Sequence, residues 1–441
     1  MTSEPTPRRA ERWCIRSAML VIFVAAMTTQ IPLLAPLVHA GDDGDSVRSR
    51  MMEILNEVSD LVKQNYYDPT LKNLDWKAGV EVARERMRRA DHEGEMAAAI
   101  SGLLVRLNDS HTYFFRPGPQ VVFGFSAKAF GDDVRIYEIM SGGPAEAAGL
   151  QRGDKIVAVE DFAANRKVFD DEARYFEETN PRLTLKLKIV RGDAAPRDVT
   201  ISGKQRATSS KDFVKLSREY YKEQEQQNTE GTVRLESGGV AYLRFPSFMV
   251  TPGKEDSLLK KAKEARSLIL DLRDDHGGRE DTLKEMAGHF LSDPTQLAVA
   301  ISQTKQEEII AKPKNPNLTA PLFILVDSHS ASASEIFARA LQLKKRATIV
   351  GDGTAGKVNS GHFFYGHGGA VSIIFFGVAI TTSKLVMPDG EVLEDRGVLP
   401  DVRCVPTEED LRLARDPCLE SALLLAREAA SKAASSNTSP N

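Results

Sequence analysis

The chain predicts a multidomain α/β protein, and three stretches carry that prediction. Strand-like runs at Ala241–Phe245, Ser267–Leu272, Leu322–Val326 and Ala347–Val350 alternate with helix-forming runs at Asp256–Ala265, Arg279–Leu291 and Glu335–Leu343. Such alternation is the mark of a layered α/β core. Ahead of it, Met51, Met52, Leu55, Val58, Leu61 and Val62, then Ala78–Met87 and Met96–Leu107, recur at helical spacing and predict an N-terminal helical segment. Between the two, Val134–Ile139 reads as a strand. After it, Pro144 opens a short helix, Gly149 stops it, and Gly153-Asp154 turns into a buried strand. This middle stretch predicts an inserted β-rich domain.

The N-terminus reads as a secretory leader. Arg8, Arg9, Arg12 and Arg16 precede an apolar stretch, Ala18–Met27, and the small residue Ala40 closes the segment, where we place the cut. Thr28, Thr29, Gln30 and two prolines interrupt it, which makes it a poor membrane span. The alternative is an uncleaved anchor, which would hold the protein at a membrane. The expected division is 1–40 signal peptide, 41–120 helical region, 121–204 inserted domain, 205–230 polar connection, 231–428 core and 429–441 disordered tail. A composition of 41% hydrophobic and 27% charged residues with net charge −4 is that of a soluble globular protein and gives no reason to expect nucleic-acid binding. Once Cys14 leaves with the leader, Cys404 and Cys418 remain, either paired in an oxidising compartment or as two buried thiols.

The candidate chemistry lies in the core. Ser330-Ala331-Ser332-Ala333-Ser334-Glu335 follows the run Leu322–Val326, and Lys357 ends the turn Gly351–Lys357. A strand, a tight turn and a helix start would expose Ser332 beside backbone N–H groups suited to an oxyanion. Lys357 would be its base, which requires a neutral amine and therefore burial. Three other readings stand beside this one. Gly351–Lys357 matches G-x-x-x-x-G-K, but Val358 follows where a phosphate loop needs Ser or Thr. A serine–histidine–acid arrangement could draw on eight histidines, although no G-x-S-x-G surrounds Ser332. The plainest reading makes the serines a helix cap and Lys357 a surface charge.

Taken together, these segments resemble the carboxyl-terminal processing (tail-specific) proteases over nearly all of the mature chain. The resemblance implies Ser332 as nucleophile and Lys357 as base. Through Asp271-Leu272-Arg273-Asp274-Asp275-His276-Gly277-Gly278 it implies the N–H groups of Gly278 and Ala333 as the oxyanion hole, with Gly277 the weaker choice. Val240–Phe245, Pro388-Asp389-Gly390 and Gly397–Asp401 look similar to the family as well. Two departures stand out. Gly361 occupies the place of a lysine-orienting glutamine, leaving Asn359 or Ser360 to orient Lys357, and Asp275-His276 replaces the family's Asn-x pair.

The inserted domain resembles a PDZ domain, which implies a β-rich fold with two helices. Its carboxylate-binding loop would be Phe123–Ser126, with Gly124, Phe125 and Ser126 as peptide-binding residues. A fold that only packs as a lid is the alternative. His111, in Asn108–Phe114, reads as structural or as part of a hinge. No cofactor is expected, and no metal: Asp271, Asp274, Asp275 and Asp281, or His362 and His367, lack ligand spacing. The function implied is an exported serine endopeptidase acting on protein or peptide C-terminal tails. An adaptor or regulatory partner and the oligomeric state stay open. The alternative is a catalytically impaired PDZ-bearing scaffold.

Overall fold

The structure, a computed structural model, describes residues 44–115, 120–169, 183–206, 231–245, 247–369 and 374–436. The leader and nearly all of the polar connection lie outside them.

The core is a six-stranded sheet. Val240–Arg244, Ser267–Asp271, Leu322–Val326 and Ala347–Gly351 run parallel. Thr232–Glu236 pairs antiparallel at one edge, and Val402–Arg403 closes the other. The central strands Ser267–Asp271 and Leu322–Val326 are buried at every residue, which is why they read as unbroken apolar runs. Alternate side chains feed two layers. Leu243, Leu268, Leu270 and Ile324 pack with Leu259, Met286 and Phe337 of the helices Asp256–Ala262, Glu280–Gly288 and Ala333–Leu343. Val240, Ile269, Phe323 and Leu325 meet Ala422 and Ala426 on the opposite face.

That second layer corrects an expectation. Residues 429–436, read as part of a disordered tail, continue the helix Pro417–Ser436. Ala422, Ala426 and Ala430, fully buried at four-residue spacing, form its inner stripe. Their small size lets the helix lie close on the sheet, whereas in sequence it looks like low-complexity tail. Cys404 and Cys418 are joined in a disulfide with a Cα–Cα distance of 5.5 Å, which ties the start of this helix to the edge strand.

The three N-terminal helices, Gly44–Asn65, Trp76–Arg89 and Glu93–Leu104, form as their periodicity predicts. They pack on a second sheet made of Tyr113–Phe115, Ser360–Gly368, Ile374–Val386, Thr295–Ile301 and Gln306–Ala311, to which Phe376, Val378 and Ile380 contribute the apolar face. The inserted region is β-rich, with strands Phe125–Phe130, Asp133–Ile139, Lys155–Val159, Thr184–Val190 and Arg197–Ser202 in one sheet. Its described part holds one short helix, Pro144–Ala147, with proline at its start. The turn at Gly153 has φ +91°, and a Cβ there would lie 2.9 Å from the carbonyl oxygen of Glu408.

Buried polar links join this β-rich region to the core. Lys128 Nζ lies 2.6 Å from both Asp274 and Asp327, Arg166 pairs with Asp352 at 2.7 Å, and the Ser328 hydroxyl donates to the Ala129 carbonyl. Burial opposes the charge on Lys128, but the two aspartates outweigh it and raise its proton affinity.

Candidate active site

Ser332 sits between the strand Leu322–Val326 and the helix Ala333–Leu343, where the sequence predicts it. Its backbone has φ 55° and ψ −117°, a conformation that L-residues rarely adopt and that marks a site held in place by its surroundings. Its neighbours have other duties. The Ser330 hydroxyl donates to the Leu272 carbonyl at 2.8 Å, the Ser334 hydroxyl donates to the Asp275 carbonyl at 3.0 Å, and both side chains are fully buried.

Lys357 is adjacent, because the Ser332 N–H donates to its carbonyl at 2.8 Å. Glu335 fastens the two segments together. This buried carboxylate accepts the N–H groups of Ser332 (3.0 Å), Lys357 (2.9 Å) and Gly356 (2.7 Å) and the Thr354 hydroxyl (2.5 Å). Burial pushes its pKa up to about 7 against these four hydrogen bonds. A glutamate three residues into a helix that reaches back to the cap N–H is a known terminus device. That spacing was the signal for Glu335 in the sequence, and its further reach to the lysine turn had none.

The glycine turn lies against the serine. A Cβ on Gly277, at φ +87°, would fall 2.8 Å from the Ser332 Cβ and 2.8 Å from the Ala333 nitrogen. The Gly277 N–H is taken by Asp275 Oδ1 at 2.9 Å. The N–H groups of Gly278 and Ala333 have no acceptor among the described residues. Gly278, at φ +151°, has no room for a side chain, since a Cβ would lie 2.2 Å from the backbone of Phe248. Asp275 is fully buried beneath this turn. Burial pushes its pKa up to about 8, opposed by the Gly277 N–H, and its Oδ2 has no hydrogen-bond partner among the described residues.

A second constellation borders the lysine turn. The Ser110 hydroxyl lies 2.7 Å from Glu394 Oε1 and 2.8 Å from His111 Nδ1, and the Ser110 N–H also donates to Glu394 at 3.0 Å. The other Glu394 oxygen accepts the N–H groups of Val358 (2.9 Å) and Asn359 (3.1 Å). Burial raises the Glu394 pKa, but His111 and these hydrogen bonds outweigh it and hold the carboxyl below its usual range. Gly361 lies against the His111 backbone, and a Cβ there would be 3.3 Å from the His111 Cβ. His111, read from sequence as structural or as part of a hinge, is therefore held beside the segment that follows Lys357. Nothing in the sequence connects Ser110 and Glu394, which meet only in the fold.

Asn359 is buried, and its Oδ1 accepts the Leu385 N–H at 3.2 Å, so that oxygen serves the neighbouring strand. Ser360 is exposed at the start of its own strand. Gly124 has φ +80° and its carbonyl accepts the Met140 N–H, while Phe125 and Ser126 begin the strand that carries Lys128. From Lys128 the connection runs to Asp274, which neighbours Asp275. Burial raises the Asp274 pKa, but Lys128 and His329 outweigh it and hold the carboxyl well below its usual range.

A strand, a strained serine, a helix and a glycine turn with two N–H groups that have no acceptor among the described residues thus meet at Ser332. Residues 239–404 match the model of peptidase family S41. The carboxyl-terminal-processing protease of Synechocystis is 27% identical over 391 residues, covering 84% of each chain. Among solved structures, the photosystem II D1 C-terminal processing protease is similar at a TM-score of 0.50 and 21% identity, over 81% of this chain and 93% of that one. Mature CPAF complexed with lactacystin is similar at 0.63 and 14% identity, over 88% and 99%. The match to peptidase family S41 spans residues 239–404, and with its carboxyl-terminal-processing relatives it places the protein, by enzyme class, among serine-type C-terminal processing peptidases.

Proposed function

We propose that this protein is an exported endopeptidase that cleaves protein substrates at or near their C-terminal tails, with Ser332 as nucleophile. The observation that carries the reading is the strained Ser332, packed against a glycine turn whose Gly278 N–H, like that of Ala333, is unspent. In the mechanism, Lys357 takes the proton from the Ser332 Oγ as that oxygen attacks the peptide carbonyl carbon. Gly278 and Ala333 donate to the oxyanion, Lys357 returns the proton to the leaving amine, and water then hydrolyses the acyl-enzyme. Glu335 keeps the Ser332 and Lys357 backbones in register.

The Ser110–Glu394 pair favours a second reading for the base. The Ser110 hydroxyl, which donates to Glu394, holds one ring nitrogen of His111 and orients the imidazole, and the nearby Glu394 carboxylate would stabilise the imidazolium formed when it takes a proton. Single-turnover cleavage by Lys357→Ala and by His111→Ala separates the two. Loss of about three orders of magnitude or more in one variant, with a much smaller loss in the other, assigns the base.

The β-rich region is read as a PDZ domain that captures a substrate tail at Gly124, Phe125 and Ser126. The strand from these residues reaches Lys128, and Lys128 reaches the oxyanion segment through Asp274, which supports coupling of tail binding to the site. A peptide with a free apolar C-terminus is expected to be cleaved about ten times faster than its amide, because hydrogen bonds to a charged group are worth about 1.5 to 3 kcal/mol. Equal rates would remove the tail-reading role. The disulfide supports export to an oxidising compartment. Among the described residues no helix is long and apolar enough to cross a membrane.

A further inference from the structure

Around the loop that backs the glycine turn, the fold brings together three side chains drawn from segments far apart in the sequence. Glu255 and Asp256 stand where the loop after the strand Val240–Arg244 enters the helix Asp256–Ala262, and His289 follows the helix Glu280–Gly288. One ligand atom from each lies within 4.8 Å of the others. Glu255 is 1% exposed and His289 is fully buried. Among the described residues, both carboxylate oxygens of Glu255 have no hydrogen-bond partner, and Oδ1 of Asp256 and Nε2 of His289 have none but each other.

The protonation of His289 follows from its other nitrogen. Nδ1 lies 2.8 Å from the Pro316 carbonyl oxygen, which can only accept, so Nδ1 carries a proton. In the neutral ring Nε2 is then a lone pair, and it faces Asp256 Oδ1 at 3.0 Å. Two acceptors at that distance repel unless a cation or a proton lies between them. A proton on Nε2 would satisfy Asp256 but leave Glu255 with two bare oxygens beside Leu243, Leu258, Leu259 and Met286, and a buried unpaired carboxylate is costly. Arg244 borders the same hollow, but its guanidinium is turned to Asp271 and the Arg273 carbonyl. A dication would balance both carboxylates and receive the imidazole lone pair as well.

We propose that Glu255, Asp256 and His289 bind one divalent transition-metal ion, of which Zn²⁺ is the first candidate. One imidazole and two carboxylates suit zinc, with bonds of about 2.0–2.2 Å, and the nitrogen ligand argues against Mg²⁺ and Ca²⁺. The hydrogen bond from His289 Nδ1 to a backbone carbonyl is the outer-shell contact that orients metal-binding histidines. The ion would pin the loop that backs the glycine turn. Phe248 of that loop bridges to Gly278 and accepts the Arg279 N–H at 2.9 Å, and Val250 accepts the Thr282 hydroxyl at 2.6 Å. The site includes neither Ser332 nor Lys357, so it stands or falls independently of the catalytic reading.

The test uses the full mature chain without a histidine tag, stripped with chelator and dialysed against micromolar free Zn²⁺. Elemental analysis is expected to find about one zinc per chain, falling below about a tenth in Glu255→Gln and His289→Gln. Zinc is expected to raise the thermal midpoint of the wild type but not of Glu255→Gln, with the fold of the variants checked by circular dichroism. X-ray absorption on the wild type, which needs no variant, is expected to show one imidazole among oxygen ligands and no sulfur. No uptake by the wild type, full uptake by both variants, or two or more imidazoles on the metal would each overturn the proposal.

Discussion

Replacing Asp275 by asparagine is expected to change how both stability and activity depend on pH. The side chain is fully buried, its Oδ1 accepts the Gly277 N–H, and Oδ2 has no hydrogen-bond partner among the described residues. Burial raises its pKa from 3.8 to about 8. The folded protein therefore holds a proton that the unfolded chain releases above 3.8. The stability this carboxyl contributes is complete below that pH and is lost as pH rises through about 8. At about 1.36 kcal/mol for each tenfold change in proton affinity, the whole window amounts to about 6 kcal/mol. An asparagine side chain would keep an oxygen for the Gly277 N–H and never ionise. Urea unfolding followed by circular dichroism should show Asp275→Asn gaining on the wild type between about pH 4 and 8, then holding a constant lead. Activity should follow. Ionised Asp275 places a negative charge beneath the Gly278 and Ala333 N–H groups proposed as oxyanion donors, so the wild-type kcat/KM should fall above about pH 8 while the variant keeps its rate. Superimposable stability and rate profiles for the two proteins would refute the reasoning.

Other outcomes follow from the same geometry. Ser330→Ala and Ser334→Ala each remove one buried hydrogen bond to a carbonyl, so each should lower stability by about 1–3 kcal/mol and leave more activity than Ser332→Ala, as peptide turnover at matched folded fraction would show. Lys128→Met leaves the buried Asp327 without its cation and the half-buried Asp274 with His329 alone, and should cost about 3–5 kcal/mol, read by denaturant unfolding. Cys404→Ser with Cys418→Ser opens a short loop and should cost about 3 kcal/mol, seen as earlier loss of the helix Pro417–Ser436 in hydrogen exchange.

The sequence revealed what local pattern and burial impose. Unbroken apolar runs marked the parallel strands, helical spacing marked the N-terminal layer, and small residues between strand and helix marked Ser332. It concealed what depends on contacts between distant segments. Ala422, Ala426 and Ala430 look like tail composition until the sheet they cover is present. The link from Ser110 to Glu394, the four donors gathered by Glu335, and the cluster of Glu255, Asp256 and His289 join segments that no periodicity relates. The glutamate that holds the lysine turn was legible only as half of a helix cap.

The most direct test of the account is the site of covalent capture. The mature protein should be treated with a fluorophosphonate during turnover of a peptide substrate, then digested and mapped by mass spectrometry. The account predicts loss of turnover in step with a single adduct on Ser332, and no adduct in Ser332→Ala. An adduct on another residue that tracks the loss of activity, or undiminished turnover by Ser332→Ala, would contradict it.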